Sequence, residues 1–154
     1  MRKLTAVFAG LFAVVAGAAY GQGGVQVIAR CGPLDGFAYY FPGTNMAANE
    51  AGWQKDQISN SSFLLIQDRA GAFDIVFTDA TRRTISATSN GAEVIALRKE
   101  AGLYVVLSVY SGIVETYMFA IDARGAGNMT LSQTRHYTPP LPKKVAVMVA
   151  PCGG

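Results

Sequence analysis

The chain is expected to fold as an all-β protein: one antiparallel up-and-down meander of about 8–10 strands, closed or nearly closed into a barrel, with a β-sandwich as second choice. Three observations predict this. β-branched and aromatic runs alternate with turn signals roughly every eight to twelve residues. Nearly every link between them is short enough for a tight hairpin, which favours a meander over a Greek key. A meander of that length hides its edges best by closing on itself.

At the N-terminus, Arg2-Lys3 precedes an unbroken run of apolar and small residues from Leu4 to Ala19. Ala16-Gly17-Ala18 and Ala19-Tyr20-Gly21 both offer small residues at the spacing a signal peptidase reads. Residues 1–21 are therefore expected to be a signal peptide that is removed. Residues 22–154 then form a single secreted or periplasmic domain with no stable membrane anchor. Without Arg2 and Lys3 the 13 basic residues fall to 11, against 10 acidic ones, so the formal charge drops from +3 to +1. A nucleic-acid partner is not expected at that charge.

Val25–Cys31 alternates as a first strand, Gly32-Pro33-Leu34-Asp35-Gly36 reads as a turn, and Gly36–Phe41 is a second strand stopped by Pro42-Gly43. Residues 42–60 lack strand character; Asn45–Ala51 suits two turns of helix ending at Gly52. Ser62–Asp68 is expected to meet Phe73–Asp79 across Ala70-Gly71, setting Asp74 opposite Gln67. Arg83–Ser89 is expected to meet Ala92–Arg98 across Asn90-Gly91, the strongest short hairpin signal present.

Leu103–Tyr110 and Ile113–Ile121 flank Ser111-Gly112. A two-residue turn there sets Val109 opposite Val114, Leu107 opposite Thr116, Val105 opposite Met118 and Leu103 opposite Ala120. That face is almost wholly apolar and is expected to be the core side. The other face pairs Tyr110 with Ile113, Ser108 with Glu115, Val106 with Tyr117 and Tyr104 with Phe119. A one-residue slip would exchange the two. Asn128–Arg135 and Val145–Ala150 complete the domain.

The two cysteines, Cys31 and Cys152, are expected to form a disulfide in an oxidising compartment. That bond constrains the topology. In a strict meander of ten strands the first and last C-termini lie at opposite ends, yet a disulfide needs Cα atoms within about 7 Å. Either the count is off by one or residues 42–60 cross the barrel, and the crossover is the preferred solution.

Catalytic groups are sparse. His136 is the one histidine, expected to be half-exposed and structural, and no G-x-S-x-G sequence accompanies it. No spacing of His, Cys or acidic residues suits a metal. Asp74, Asp79 and Glu115 read as solvated charges rather than a hydrolytic pair. No cofactor, metal or catalytic residue is expected, and the chain is not expected to be an enzyme.

Aromatic residues crowd the polar side of the main hairpin and the second strand. Tyr39, Trp53, Tyr104, Tyr117 and Phe119 are the expected ligand-binding residues, with residues 42–60 and Trp53 covering a barrel mouth. The expected architecture resembles lipocalin-type barrels, which enclose small apolar ligands, and small exported barrels that inhibit proteases or lysozymes. The likeness is one of architecture alone. Trp53 follows Ala51-Gly52 and comes after two strands, where a lipocalin carries G-x-W near its first. Two functions fit: a binding barrel for a small, mostly apolar ligand, or a protein-binding module such as an inhibitor of an extracellular or periplasmic enzyme. The state of the interior separates them. A hollow barrel favours a ligand, and a filled one with an exposed apolar patch favours a protein partner.

Overall fold

The computed structural model describes residues 24–43, 45–136 and 140–153; the expected signal peptide, residues 1–21, lies outside them. The all-β expectation holds. The described residues form one antiparallel sheet of eleven strands, curled strongly into a half-barrel that is open rather than closed.

Its first half is two long strands, each broken once by a bend. β1 (Gln26–Cys31) runs on into β2 (Leu34–Tyr40), and β3 (Gly52–Ile58) runs on into β4 (Ser62–Gln67). β2 and β3 pair from Leu34↔Ile58 to Tyr40↔Gly52, while β1 and β4 pair from Cys31↔Phe63 to Gln26↔Gln67. Gly32-Pro33 is thus a bend within one strand direction and not the reversal its composition suggested. Proline removes one ladder donor, while the Gly32 N–H still donates to the Pro151 carbonyl at 2.8 Å. The matching bend in β3–β4 is at Ser59-Asn60-Ser61, where Asn60 takes the left-handed conformation with φ of 58°.

This continuity resolves the cysteine problem. β11 (Lys144–Cys152) lies antiparallel to β2 from Lys144↔Tyr40 to Val149↔Asp35, and meets β1 at Cys152↔Cys31. β1 and β2 share one direction, so Cys31 lies within a bent strand and beside the end of β11. The disulfide forms there, as expected, with no crossover. Residues 41–51 link β2 to β3 as an ordinary hairpin connection. In place of the expected helix there is a single turn, with the Ala51 N–H donating to the Ala47 carbonyl at 3.1 Å.

β5 (Phe73–Thr78) pairs with β4, and β6 (Thr84–Ser86) with β5. The β4–β5 loop holds five residues, so Asp74 stands opposite Ile66 and not Gln67. Asn90-Gly91 does not close a two-residue hairpin either. Thr88–Asn90 is a 3-10 turn with Gly91 left-handed, and β6 leads to β7 (Glu93–Glu100) without pairing to it. β6 and β7 are the two ends of the sheet path; Ala87 and Ala92 are buried between them, and β5 packs against β7.

β7, β8 (Leu103–Tyr110), β9 (Ile113–Ile121), β10 (Gly127–Arg135) and β11 make the regular half. The Ser111-Gly112 hairpin adopts the expected register at all eight pairs, from Tyr110↔Ile113 to Leu103↔Ala120. The orientation of its faces is reversed. Val106, Ser108, Glu115, Tyr117, Phe119 and Ile121 are buried, whereas Met118 and Val114 are 42 % exposed. Val105, Leu107 and Val109 are partly covered on the outer surface. The core is the aromatic face. Phe119 and Tyr117 point inward with Met129 and Leu131 of β10, Met148 of β11, Leu65 of β4, Ile75 of β5 and Leu34 of β2, all essentially inaccessible. These side chains fill the centre of the half-barrel. Where β2 crosses Met148 the strands approach so closely that a Cβ on Gly36 would lie 2.2 Å from the Val147 carbonyl oxygen.

Candidate functional site

Two surfaces carry chemistry, one on each side of the sheet. The first is a pocket of about 230 Å³ at the end of the half-barrel bounded by the β3–β4 bend and the β8–β9 turn. Ile58, Phe63, Phe77, Tyr110, Ile113, Tyr117 and Leu131 form its apolar wall. Phe63 lies 6.4 Å from Phe77 in a stacked arrangement and 6.3 Å from Tyr117.

Glu115 and Gln133 are the polar residues at its base. They stand opposite each other on β9 and β10, and Ser108 stands opposite Glu115 on β8. Tyr117 Oη donates to Glu115 Oε2 and Gln133 Nε2 to Glu115 Oε1, both at 2.6 Å. Ser108 Oγ and Gln133 Oε1 are buried without a partner. Burial, then the charge of Glu115 and its hydrogen bond, push the Tyr117 phenol well above its ordinary value. Burial again, then the charges of Glu115 and Asp74, push Tyr110 to about 12. Neither ring carries charge near neutral pH.

Beside the pocket lies a buried ion pair that sequence reading did not anticipate. Lys144 Nζ donates to Asp56 Oδ2 at 2.5 Å, both side chains being largely enclosed, and the ammonium sits 5.8 Å from the centre of the Tyr40 ring. Burial and then Asp56 raise the Tyr40 phenol above its ordinary value. Arg135, next along the inner row, donates from Nε to the Pro142 carbonyl at 2.7 Å.

The second surface is outside. Tyr39 and Trp53 face each other across β2 and β3, with ring centres 5.6 Å apart, and Phe41 packs edge-on against Tyr39 at 4.9 Å. Trp53 is 67 % exposed, Phe37 60 % and Val147 54 %. Val145 and Val149 continue the patch along β11, and the Lys55–Asp35 ion pair borders it at 3.3 Å. β3 pairs with no strand but β2 among the described residues, so one edge of it is open beside this cluster.

The five expected binding residues are therefore divided. Tyr39 and Trp53 lie together on the outer face, so Trp53 does not cover the mouth. Phe119 is wholly buried in the filled centre and stacks on Tyr117 with centroids 6.5 Å apart. Tyr104 lies toward the opposite end, edge-on to Phe73 at 6.0 Å. Tyr117 alone reaches the pocket. Glu115, expected to be a solvated charge, is buried because the hairpin's inner face is the polar and aromatic one. Asp74 secures the β6 segment, accepting from Ser86 Oγ and from the Thr88 N–H at 3.1 Å. His136 is exposed, its backbone N–H donating to the Gly112 carbonyl at 2.9 Å.

No protein-family model, no curated protein and no solved structure matches this chain. Among the described residues no helix is long and apolar enough to cross a membrane. The disulfide is compatible with an extracellular or periplasmic location.

Proposed function

We propose that this is an exported, non-catalytic protein-binding module, which takes an extended segment of another extracellular or periplasmic protein along the open edge of β3. The observation that carries the reading is the outer aromatic cluster of Phe37, Tyr39, Phe41 and Trp53 beside that edge. Trp and Tyr are the residue types that anchor protein interfaces, and here Trp53 is exposed against a half-buried Tyr39, with the Lys55–Asp35 ion pair at the border. An incoming strand satisfies the bare N–H and C=O groups of Gly52–Ile58, and its side chains settle alternately over Trp53. The filled centre of the half-barrel, packed with Phe119, Met129, Leu131 and Met148, supports a partner over a long apolar ligand.

Site-specific photo-crosslinking in the native host tests this. A benzophenone side chain at Trp53 or Gln57 should give one adduct of discrete mass, and the same probe at Ser132, on the outer face of β10, should give none. Equal adducts at all three positions, or none at any, would refute the reading. An adduct with the mass of two copies of this chain would replace it with self-association.

A further inference from the structure

We propose that the end pocket is a separate binding site for a small organic ammonium ion carrying an aromatic or compact apolar group. Its base is rich in acceptors. Glu115 is buried and its two hydrogen-bond partners, the Tyr117 hydroxyl and the Gln133 amide, are both neutral. Gln133 Oε1, in the lining, is buried with nothing to accept from; the Ser108 hydroxyl across the strand from Glu115 is also unpartnered but stands behind the lining. A buried polar atom left unsatisfied is costly, so a donor entering here recovers an interaction the free protein lacks.

Charge points the same way. Asp79 stands at the rim, and neither lysine nor arginine lines the cavity. Arg135 lies near enough to feel Glu115, but it hydrogen-bonds at Pro142, outside the lining. The walls supply Phe63, Phe77, Tyr110 and Tyr117, whose ring faces attract cations, more strongly once water is excluded. An anion would meet the Glu115 and Asp79 carboxylates in the lining, while the nearest cations, Arg135 and Arg83, stay outside it, and a neutral hydrocarbon would leave the acceptors at the base bare. Size limits the ligand too. The cavity is below the roughly 300–1,000 Å³ typical of drug-sized sites, so it suits a single ring or a short branched chain.

The experiment compares three ring compounds of one shape on the oxidised protein, by calorimetry and by amide shifts in NMR: benzylammonium, benzyl alcohol and benzoate. Benzylammonium should bind saturably and shift the amides of β9 and β10 around Glu115 and Gln133. Benzyl alcohol should bind at least tenfold more weakly, and benzoate should not bind. Glu115→Gln should weaken benzylammonium at least tenfold, and Asp79→Asn, at the rim, two- to threefold. The charge series uses the unaltered protein, so it decides the matter even if Glu115→Gln does not fold. Equal binding of the amine and the alcohol, tighter binding of benzoate, or no binding of benzylammonium at 10 mM (roughly the weakest useful affinity for so small a ligand) would overturn the proposal. Failure here leaves the crosslinking result at Trp53 untouched, because the two sites lie on opposite faces of the sheet.

Discussion

Two adjacent residues of β9 give the sharpest test of which face of the sheet is inside. Phe119 is completely inaccessible, stacked on Tyr117 and opposite Met129 in the ladder, whereas Met118 is 42 % exposed. Truncating Phe119 to alanine removes a ring whose burial contributes about 1.5–3 kcal/mol by transfer alone. The hole it leaves among rigid strands brings the expected loss to about 3–5 kcal/mol. Met118→Ala opens no cavity and forfeits only part of a side chain's burial, about 1 kcal/mol or less. With a urea dependence of about 2 kcal/mol per molar, the midpoint should fall by roughly 2 M for Phe119→Ala and under about 0.5 M for Met118→Ala. The assay is equilibrium unfolding of residues 22–154 with the disulfide intact, followed by far-ultraviolet circular dichroism. Unchanged slopes would license the comparison. A Met118→Ala cost equal to or above that of Phe119→Ala would refute the assignment, and the aromatic face would be the outer one.

Spectrophotometric titration at alkaline pH should find one tyrosine of the folded protein ionising near 12, and Tyr110→Phe should remove it. Because the unfolded phenol ionises near 10, the stabilisation is complete below about pH 10 and is lost as pH rises toward 12; uniform ionisation near 10 in the folded state would contradict it. Lys144→Met should destabilise by up to about 3–5 kcal/mol by leaving Asp56 uncompensated, and adding Asp56→Leu should restore most of that. Additive costs in that double-mutant cycle would show that the pair is not coupled.

The hairpin register was legible in the sequence, but the direction of its faces was not read from it. Both faces of β8–β9 are apolar enough to be a core, so the hairpin alone cannot decide. The neighbouring strand can. β10 alternates cleanly, with Met129 and Leu131 between Asn128, Thr130, Ser132 and Thr134, and its register sets Met129 opposite Phe119 and Leu131 opposite Tyr117. Carried across the ladder, that alternation places the aromatic side inward. β3 was missed for a different reason. Its sequence, Gly-Trp-Gln-Lys-Asp-Gln-Ile, is polar on both faces, as befits an edge strand whose one inward charge, Asp56, is answered by a lysine far away in the sequence. The Lys144–Asp56 pair joins strands distant in the chain, and local spacing cannot reveal it; the Ser108–Glu115 pairing follows from the hairpin register, and what was hidden is that this row faces inward.

Both candidate surfaces trace to one event in the chain, the paired bends at Gly32-Pro33 and Ser59-Asn60-Ser61. On one side of the bends β4 continues the sheet into β5 and β6. On the other, β3 has no further neighbour among the described residues, so its edge stays bare there and the wall of the half-barrel stops short. The pocket opens where the wall ends, with Ile58 and Ser61 of the bend on its border and the β8–β9 turn across from them. A closed barrel would have paired the β3 edge and reduced the opening together. The same continuity of β1 into β2 brings Cys31 beside Cys152, so the disulfide fastens the sheet where the chain bends. Openness at this end is therefore a property of the topology rather than of any loop, and it leaves the outer aromatic edge and the acceptor-rich pocket accessible at the same time.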